Sequence, residues 1–254
     1  LDHIGDRAHC AQKYDKLADN MNFLDNIMNT SQGVEVNIMP VVGEAASMKV
    51  DVSELPPALP VLPLRNAVIF PGTVFPVTVG REKSIKLVSD AEGGTGWLAA
   101  IPQADISVEE PMEADLCTHG TVCKLIKTLE MPDGSVTAIL QGSQLVSLES
   151  VVSDDPYMMA RVSYLEEVMP EGVDERELRV LADSLKEKAA LIVKSSSFAP
   201  KEAIGALRSI DNFHFLVNFI ATTIEVENFQ ERTALLPIVN VQERGMALLR
   251  VLDA

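Results

Sequence analysis

The sequence lacks the features that nucleic-acid binding and membrane insertion require. Its 254 residues carry 21 Lys and Arg against 37 Asp and Glu, a net charge of −16, and the basic residues form no cluster. Nucleic-acid binding draws on clustered Lys and Arg, so nucleic acid is disfavoured as a main partner. No apolar run reaches the roughly 18 residues that a bilayer span needs. The first residues contain no basic segment followed by an apolar core, so we expect no signal peptide and no membrane association.

Cysteine is scarce as well, with Cys10, Cys117 and Cys123 as the three cases. An odd number disfavours a disulfide framework and favours a reducing, cytoplasmic location. His119 lies between the last two cysteines, but no second ligand pair follows at the spacing of a zinc site, so we predict no metal. Cys123 alternates with apolar residues and is predicted to lie buried in a strand.

Because the chain opens on Leu1, we expect it to be a processed or excised piece.

Motifs for catalysis and nucleotide binding are also missing. The glycine cluster at 93–96 lacks the lysine of a phosphate loop and does not open a helix, so it predicts a turn. The serines at 195–197 have no base beside them, and His214 sits among aromatics, where it is predicted to be packed or partly exposed. Glu166 and Glu167 are predicted to be solvated surface charges. We therefore predict no catalytic residue, no cofactor and no metal in this chain.

The hydrophobic pattern divides the chain into three regions. Residues 1–58 predict an N-terminal arm or linker, with one amphipathic helix possible at Lys13–Asn29; a tail with little structure and a docking arm both stay open. Residues 59–169 predict short strands with turn residues between them, and so a curled sheet or small barrel. Residues 170–254 change to a period of 3.6 and predict a helical bundle. The predicted fold class is α+β.

Individual elements can be placed within these regions. A helix is predicted at Lys83–Glu92, and the turn Pro132-Asp133-Gly134 predicts a hairpin. Asp174, with Glu177 three residues later, predicts a helix start. The predicted strands after the first helix are Trp97–Ile101, Gly120–Lys127, Val136–Leu140, Gln144–Val152 and Tyr157–Val168. The later predicted helices are Lys201–Ile210, Asn212–Ile224, Glu227–Leu236 and Val241–Leu252.

Three prolines punctuate the apolar stretch from Leu62 to Gly80. Each proline removes a backbone donor and fixes φ, so a central strand cannot hold them freely. Pro63 and Pro71 are therefore predicted at strand ends or edges, and Pro76 at an edge or a bulge.

The same stretch closely resembles the opening of the N-terminal domain of the Lon family of ATP-dependent proteases. The resemblance covers residues 59–254 and rests on several short motifs that recur in order along the chain. They are Pro63-Leu64-Arg65-Asn66-x-Val68-Ile69-Phe70-Pro71, Pro76-Val77-x-Val79-Gly80-Arg81, Gly120-Thr-Val122, Pro132-Asp133-Gly134, Ile139-Leu140-x-Gly142, Pro156-Tyr157, Phe219-Ile220-Ala221 and Glu243-Arg244.

The resemblance implies a PUA-like pseudo-barrel followed by an α-helical bundle. In the family this region precedes an AAA+ ATPase, which uses ATP and Mg²⁺, and a Ser-Lys peptidase, within a homohexameric ring. It implies that this region helps to capture unfolded or damaged proteins, supports assembly with other subunits, and has no catalytic activity of its own.

A receptor for unfolded chains needs an adaptable apolar surface. On size and adaptability we predict substrate contacts at Phe70, Phe75, Met158 and Met159. Two alternatives stay open: a purely structural oligomerisation module, and a stand-alone Lon-like domain that serves as a protein-binding adaptor.

Overall fold

A computed structural model of the chain describes residues 55–195, 202–224 and 228–253. The helix predicted at Lys13–Asn29 and the rest of the arm, apart from residues 55–58, lie outside the described residues.

The described residues form six strands, six α-helices and one short 3-10 helix, Glu113–Asp115. The strands are β1 (Leu59–Leu64), β2 (Val74–Val79), β3 (Trp97–Pro102), β4 (His119–Glu130), β5 (Val136–Ser153) and β6 (Met159–Leu165). The helices are α1 (Glu82–Gly93), α2 (Glu175–Ser195), α3 (Glu202–Arg208), α4 (Phe213–Thr223), α5 (Phe229–Thr233) and α6 (Val241–Asp253). Among these residues no helix is long and apolar enough to cross a membrane.

Five of the strands close into a ring. The strand order is β2-β5-β4-β3-β1-β6, and β5 also pairs with β6. The first part of β5, from Val136 to Gln141, pairs with β2, and its later part, from Leu145 to Ser153, pairs with β6. The long strand changes partner between Gln141 and Leu145, where its register with β4 also shifts, opposite Val122 and Cys123. The predicted α+β class and the PUA-like pseudo-barrel with a helical bundle are confirmed.

The structure corrects the two strands predicted at Val136–Leu140 and Gln144–Val152. They are one continuous strand, because β4 stays paired across the break, with Cys123 opposite Gly142. The Gly142 amide also donates to the carbonyl of Thr73, 2.8 Å away. The polar Gln141-Gly142 pair interrupts the apolar pattern but leaves the ladder intact.

Two of the three prolines lie where the sheet does not need their missing donor. β2, which contains Pro76, is the edge strand of the sheet. β1 pairs with β3 from Val61 to Leu64 and with β6 at Leu59 and Pro60. On the β6 side, Pro63 therefore lies beyond the last paired residue. Pro63 lies next to the last residue of β1, and Pro76 lies on an edge strand, so the prediction of a strand end or edge for Pro63 and of an edge or bulge for Pro76 is confirmed.

Three apolar clusters form the core. One draws on β1, β3, β4, β5 and β6 and fills the ring, with Val61, Ile101 and Val122 among its members. A second lies between the sheet and α1, around Leu87. The third fills the helical bundle.

The bundle core is not built from helices alone. Val68, Phe70 and Leu145 of the strand region belong to the same buried cluster as the helical residues. The change of secondary structure near residue 170 is therefore not a break in the core.

Candidate functional site

The loop between β1 and β2 fastens the strand region to α4. The Phe70 amide donates to Thr222 Oγ1 at 3.0 Å, and Asn218 Nδ2 donates to the Pro71 carbonyl at 3.1 Å. Thr73 Oγ1 donates to the Phe70 carbonyl at 2.6 Å. These buried bonds satisfy the polar backbone of a loop that enters the bundle.

A buried ion pair lies beside this loop. The Arg244 side chain is 0% exposed, and its Nη1 donates to Glu167 Oε1 and, at 2.7 Å, to Asn218 Oδ1. Its Nε donates to the Ile238 carbonyl at 2.9 Å. The guanidinium carbon lies 5.1 Å from the centre of the Phe70 ring, within cation–π range.

Glu167 contacts two side chains at this junction, His214 and Arg244. Its Oε2 lies 2.9 Å from His214 Nε2, while Oε1 accepts from Arg244. Burial alone raises the pKa of Glu167, but the hydrogen bond from His214 and the charge of Arg244 outweigh it and hold the pKa below its ordinary value. Burial lowers the pKa of Arg244, and Glu167 opposes that shift, so the guanidinium stays charged.

The prediction that Glu167 is a solvated surface charge is wrong. Its side chain is 9% exposed, whereas Glu166 is exposed. The partner that makes burial tolerable, Arg244, is 77 residues away in sequence, so no local pattern indicates the pair. His214, which is 39% exposed, is partly exposed as predicted.

A second feature is a cleft beside β1 and α1, which we name the methionine cleft. It has a volume of about 210 Å³ and lies where β1, the first two turns of α1 and the loops before β4 and β6 meet. Val61, Leu87 and Met158 are nearly fully buried in its wall, and Met112 at its lip is 69% exposed. Tyr157 completes the apolar lining.

Charged side chains surround the methionine cleft, and its cations already have partners. Arg81 donates to Gln103 Oε1, and Lys83 Nζ lies 3.2 Å from Asp154 Oδ2. Glu110 is exposed on the rim. The cleft therefore combines an apolar wall with a rim that carries two cations, Arg81 and Lys83, and two carboxylates, Glu110 and Asp154.

The four predicted substrate-contact residues lie in different places. Phe70 is 0% exposed in the junction with the bundle. Phe75, on the edge strand, is half-buried against the cluster under α1. Met158 is 5% exposed and lines the methionine cleft, whereas the half-buried Met159 does not. Substrate contact by these residues stays a prediction. Sequence reasoning missed Met112, which lies in a loop with no periodic pattern.

Cys123 is fully buried in β4, as predicted, and burial raises the pKa of its thiol. Within residues 55–195, 202–224 and 228–253, no group of three or more His, Cys, Asp or Glu side chains is arranged to hold a metal ion.

Comparison with solved structures defines the class of fold. The chain is similar to the N-terminal domain of the Mycobacterium avium complex Lon protease, with a TM-score of 0.55 and 18% identity over 77% of this chain and 98% of that one. It is also similar to a Lon N-terminal domain protein from Xanthomonas campestris, with a TM-score of 0.53 and 17% identity over 76% and 97% of the two chains. At these identities the likeness establishes the fold.

Sequence comparison establishes the family. Residues 58–254 match the model of the ATP-dependent protease La (LON) substrate-binding domain. The chain is 36% identical to the Lon protease of Flavobacterium johnsoniae over 230 residues, which are 91% of this chain and 28% of that protein. It is 31% identical to the Lon protease of Escherichia coli over 196 residues, 77% of this chain and 24% of that protein.

The chain belongs to the Lon substrate-binding domain family. It spans about a quarter of the length of the Lon proteases it matches.

Proposed function

We propose that this chain is the substrate-recognition and assembly region of an ATP-dependent Lon serine protease that degrades misfolded and regulatory proteins. The observation that carries the proposal is the match to the substrate-binding family over residues 58–254. In this role the chain binds exposed apolar segments and leaves ATP hydrolysis, with Mg²⁺, and peptide cleavage to other parts of the protease. We place the protease in the cytoplasm, as a homohexameric ring.

The physical features fit a binding role. An adaptable receptor needs apolar side chains that can repack against many sequences, and methionine is well suited to this. The methionine cleft provides Met112 at its lip and Met158 in its wall. The ion pair between Arg244 and Glu167 has its hydrogen-bonding groups occupied within the protein, which suits a structural role.

The test is binding of the purified chain to an unfolded protein. Reduced, carboxamidomethylated lysozyme carrying a fluorescent label serves as the probe, and native lysozyme with the same label serves as the folded control of nearly equal charge. We expect the anisotropy to rise with the unfolded probe alone. Equal signals for both probes, or none up to about 100 μM, where an interaction of roughly 5.5 kcal/mol would register, would refute direct recognition of unfolded protein.

A further inference from the structure

We infer that the methionine cleft is a binding site for a single apolar side chain of an extended polypeptide, and that the acidic loop from Asp105 to Asp115 beside it favours segments in which Lys or Arg flanks that side chain. The inference rests on the proposed function and specifies the site and the class of substrate segment.

The size of the methionine cleft indicates what it holds. Its volume of about 210 Å³ is below the roughly 300–1,000 Å³ of pockets that enclose whole small molecules. The wall contributed by Val61, Leu87 and Met158 is apolar, so a buried polar group would lose its hydrogen bonds with water. One aliphatic or aromatic side chain fits these conditions.

The position of the methionine cleft explains why a side chain, and not a whole strand, would be recognised. β6 pairs with β1 only at Leu59 and Pro60, and Pro63 lines the cleft beyond that point. A peptide laid along this part of β1 would meet a residue with no backbone donor, so an added strand could not form a full ladder. Recognition then depends on the inserted side chain and on charges at the rim.

Met112, at the lip of the methionine cleft, allows one site to accept side chains of different shape. Met112 is 69% exposed, so closing over an inserted group would remove apolar surface from water. Its unbranched thioether can adopt several rotamers and follow the shape of the inserted group. The buried Met158 provides a second adaptable contact from below.

The charges at the rim are unequal in sign. The loop from Asp105 to Asp115, which supplies Met112, contains five carboxylates and no Lys, Arg or His. Arg65 and Lys83 already lie near Glu109 and Asp154. Arg81 donates to the neutral Gln103 and lies within electrostatic range of Glu110 and Glu109, so one cation offsets part of the negative charge of this loop. Among the described residues Glu110 has no ion-pair partner within 4.0 Å. A Lys or Arg beside the inserted side chain would complement this surplus, and an acidic neighbour would be repelled.

The experiment uses the whole chain and three labelled peptides that share one Leu in a Gly/Ser background. The Leu is flanked by Lys, by Glu or by Ser, and binding is followed by fluorescence anisotropy. We expect the Lys peptide to bind about twofold to fivefold more tightly than the Glu peptide, the range for an exposed charge pair. Adding salt to about 0.5 M should shrink the difference, since charges at the surface are then screened.

Two variants at exposed positions test the two parts of the site. Met112→Ser should weaken all three peptides by about fivefold through lost apolar contact. Glu110→Lys should remove or reverse the preference for the Lys peptide while the Ser peptide changes little. The matched controls are Met246→Ser, on an exposed methionine of α6, and Glu171→Lys, on an exposed residue before α2; neither lines the cleft.

The outcomes separate the inference from the proposed function. If the chain binds unfolded lysozyme but Met112→Ser and Glu110→Lys behave like their controls, the methionine cleft is not the site, although substrate recognition stands. If the Lys and Glu peptides bind equally, the charge preference is wrong. If neither unfolded lysozyme nor any peptide binds, both the proposed function and the inference fail.

Discussion

Glu167 and Arg244 form a buried ion pair that joins the segment after β6 to α6. The two residues lie 77 positions apart in sequence, and each contacts a side chain of α4: Glu167 pairs with His214, and Arg244 donates to Asn218. The pair therefore fixes how the helices sit against the end of the strand region.

Replacing Glu167 with Gln should lower the free energy of unfolding by about 3–5 kcal/mol, because it leaves the Arg244 guanidinium buried without a counter-charge. Urea denaturation followed by circular dichroism measures the loss. The control is Glu166→Gln at the exposed neighbouring position, which should change stability by less than about 0.5 kcal/mol. Equal effects at the two positions would show that the ion pair does not stabilise the junction.

The stability of this junction should depend on pH in the acid range. The pKa of Glu167 is lower in the folded protein than its ordinary value of 4.5, so folding favours the charged form. The stabilisation is complete above about pH 4.5, the unfolded value, and is lost as the pH falls through the lowered folded pKa. We expect the stability difference between wild type and Glu167→Gln to narrow as the pH falls from 5 towards about 3. A constant difference over that range would contradict the assignment.

Gly142 lies where the chain has no room for a side chain. A Cβ at this position would clash with the carbonyl oxygen of Phe70, so Gly142→Ala should cost about 1–3 kcal/mol through forced backbone movement. Gly80→Ala is the matched control, since a Cβ there meets no atom within 4 Å. Thermal unfolding of the two variants measures the contrast, and similar melting temperatures would contradict the close approach.

Thr222 holds the loop that carries Phe70. Its hydroxyl accepts the Phe70 amide at 3.0 Å in a buried setting, so Thr222→Val should cost about 1–3 kcal/mol by leaving that donor unsatisfied. Thr78→Val, on the exposed position of the edge strand, controls for the change in side-chain chemistry. Amide hydrogen exchange at Phe70 gives a local readout, and unchanged protection would argue against this bond.

Phe70 and Met112 should respond differently to substitution. Phe70 is 0% exposed, so Phe70→Ala should destabilise the fold by about 3–5 kcal/mol and leave peptide affinity per folded molecule unchanged. Met112→Ser should do the reverse, with stability unchanged and affinity reduced. Measuring both quantities for both variants tests which of the two residues contacts substrate.

Local signals account for the parts of the fold that the sequence predicts well. The hairpin between β4 and β5 follows from Pro132-Asp133-Gly134, where Gly134 adopts φ +83° and Asp133 accepts the Ser135 amide. The start of α2 follows from Asp174, whose carboxylate accepts the Arg176 amide at 2.8 Å. Both features depend on neighbours within a few residues.

The features that sequence reasoning missed depend on distant partners. The continuity of β5 through Gly142 needs β4 on one side and Thr73 on the other. The burial of Glu167 needs Arg244, and the methionine cleft needs a loop, a strand and a helix to converge. Period and propensity carry no information on such encounters. The strand pattern predicted a curled sheet or small barrel, and the resemblance to Lon specified the PUA-like pseudo-barrel.

Val68 and Phe70, in the loop between β1 and β2, complete the apolar interior of the helical bundle. If residues 170–254 were expressed alone, the cavity that these two side chains fill would be open to solvent. A chimera that joins these helices to another barrel must therefore include this loop, or apolar side chains of similar shape, for the bundle core to be packed.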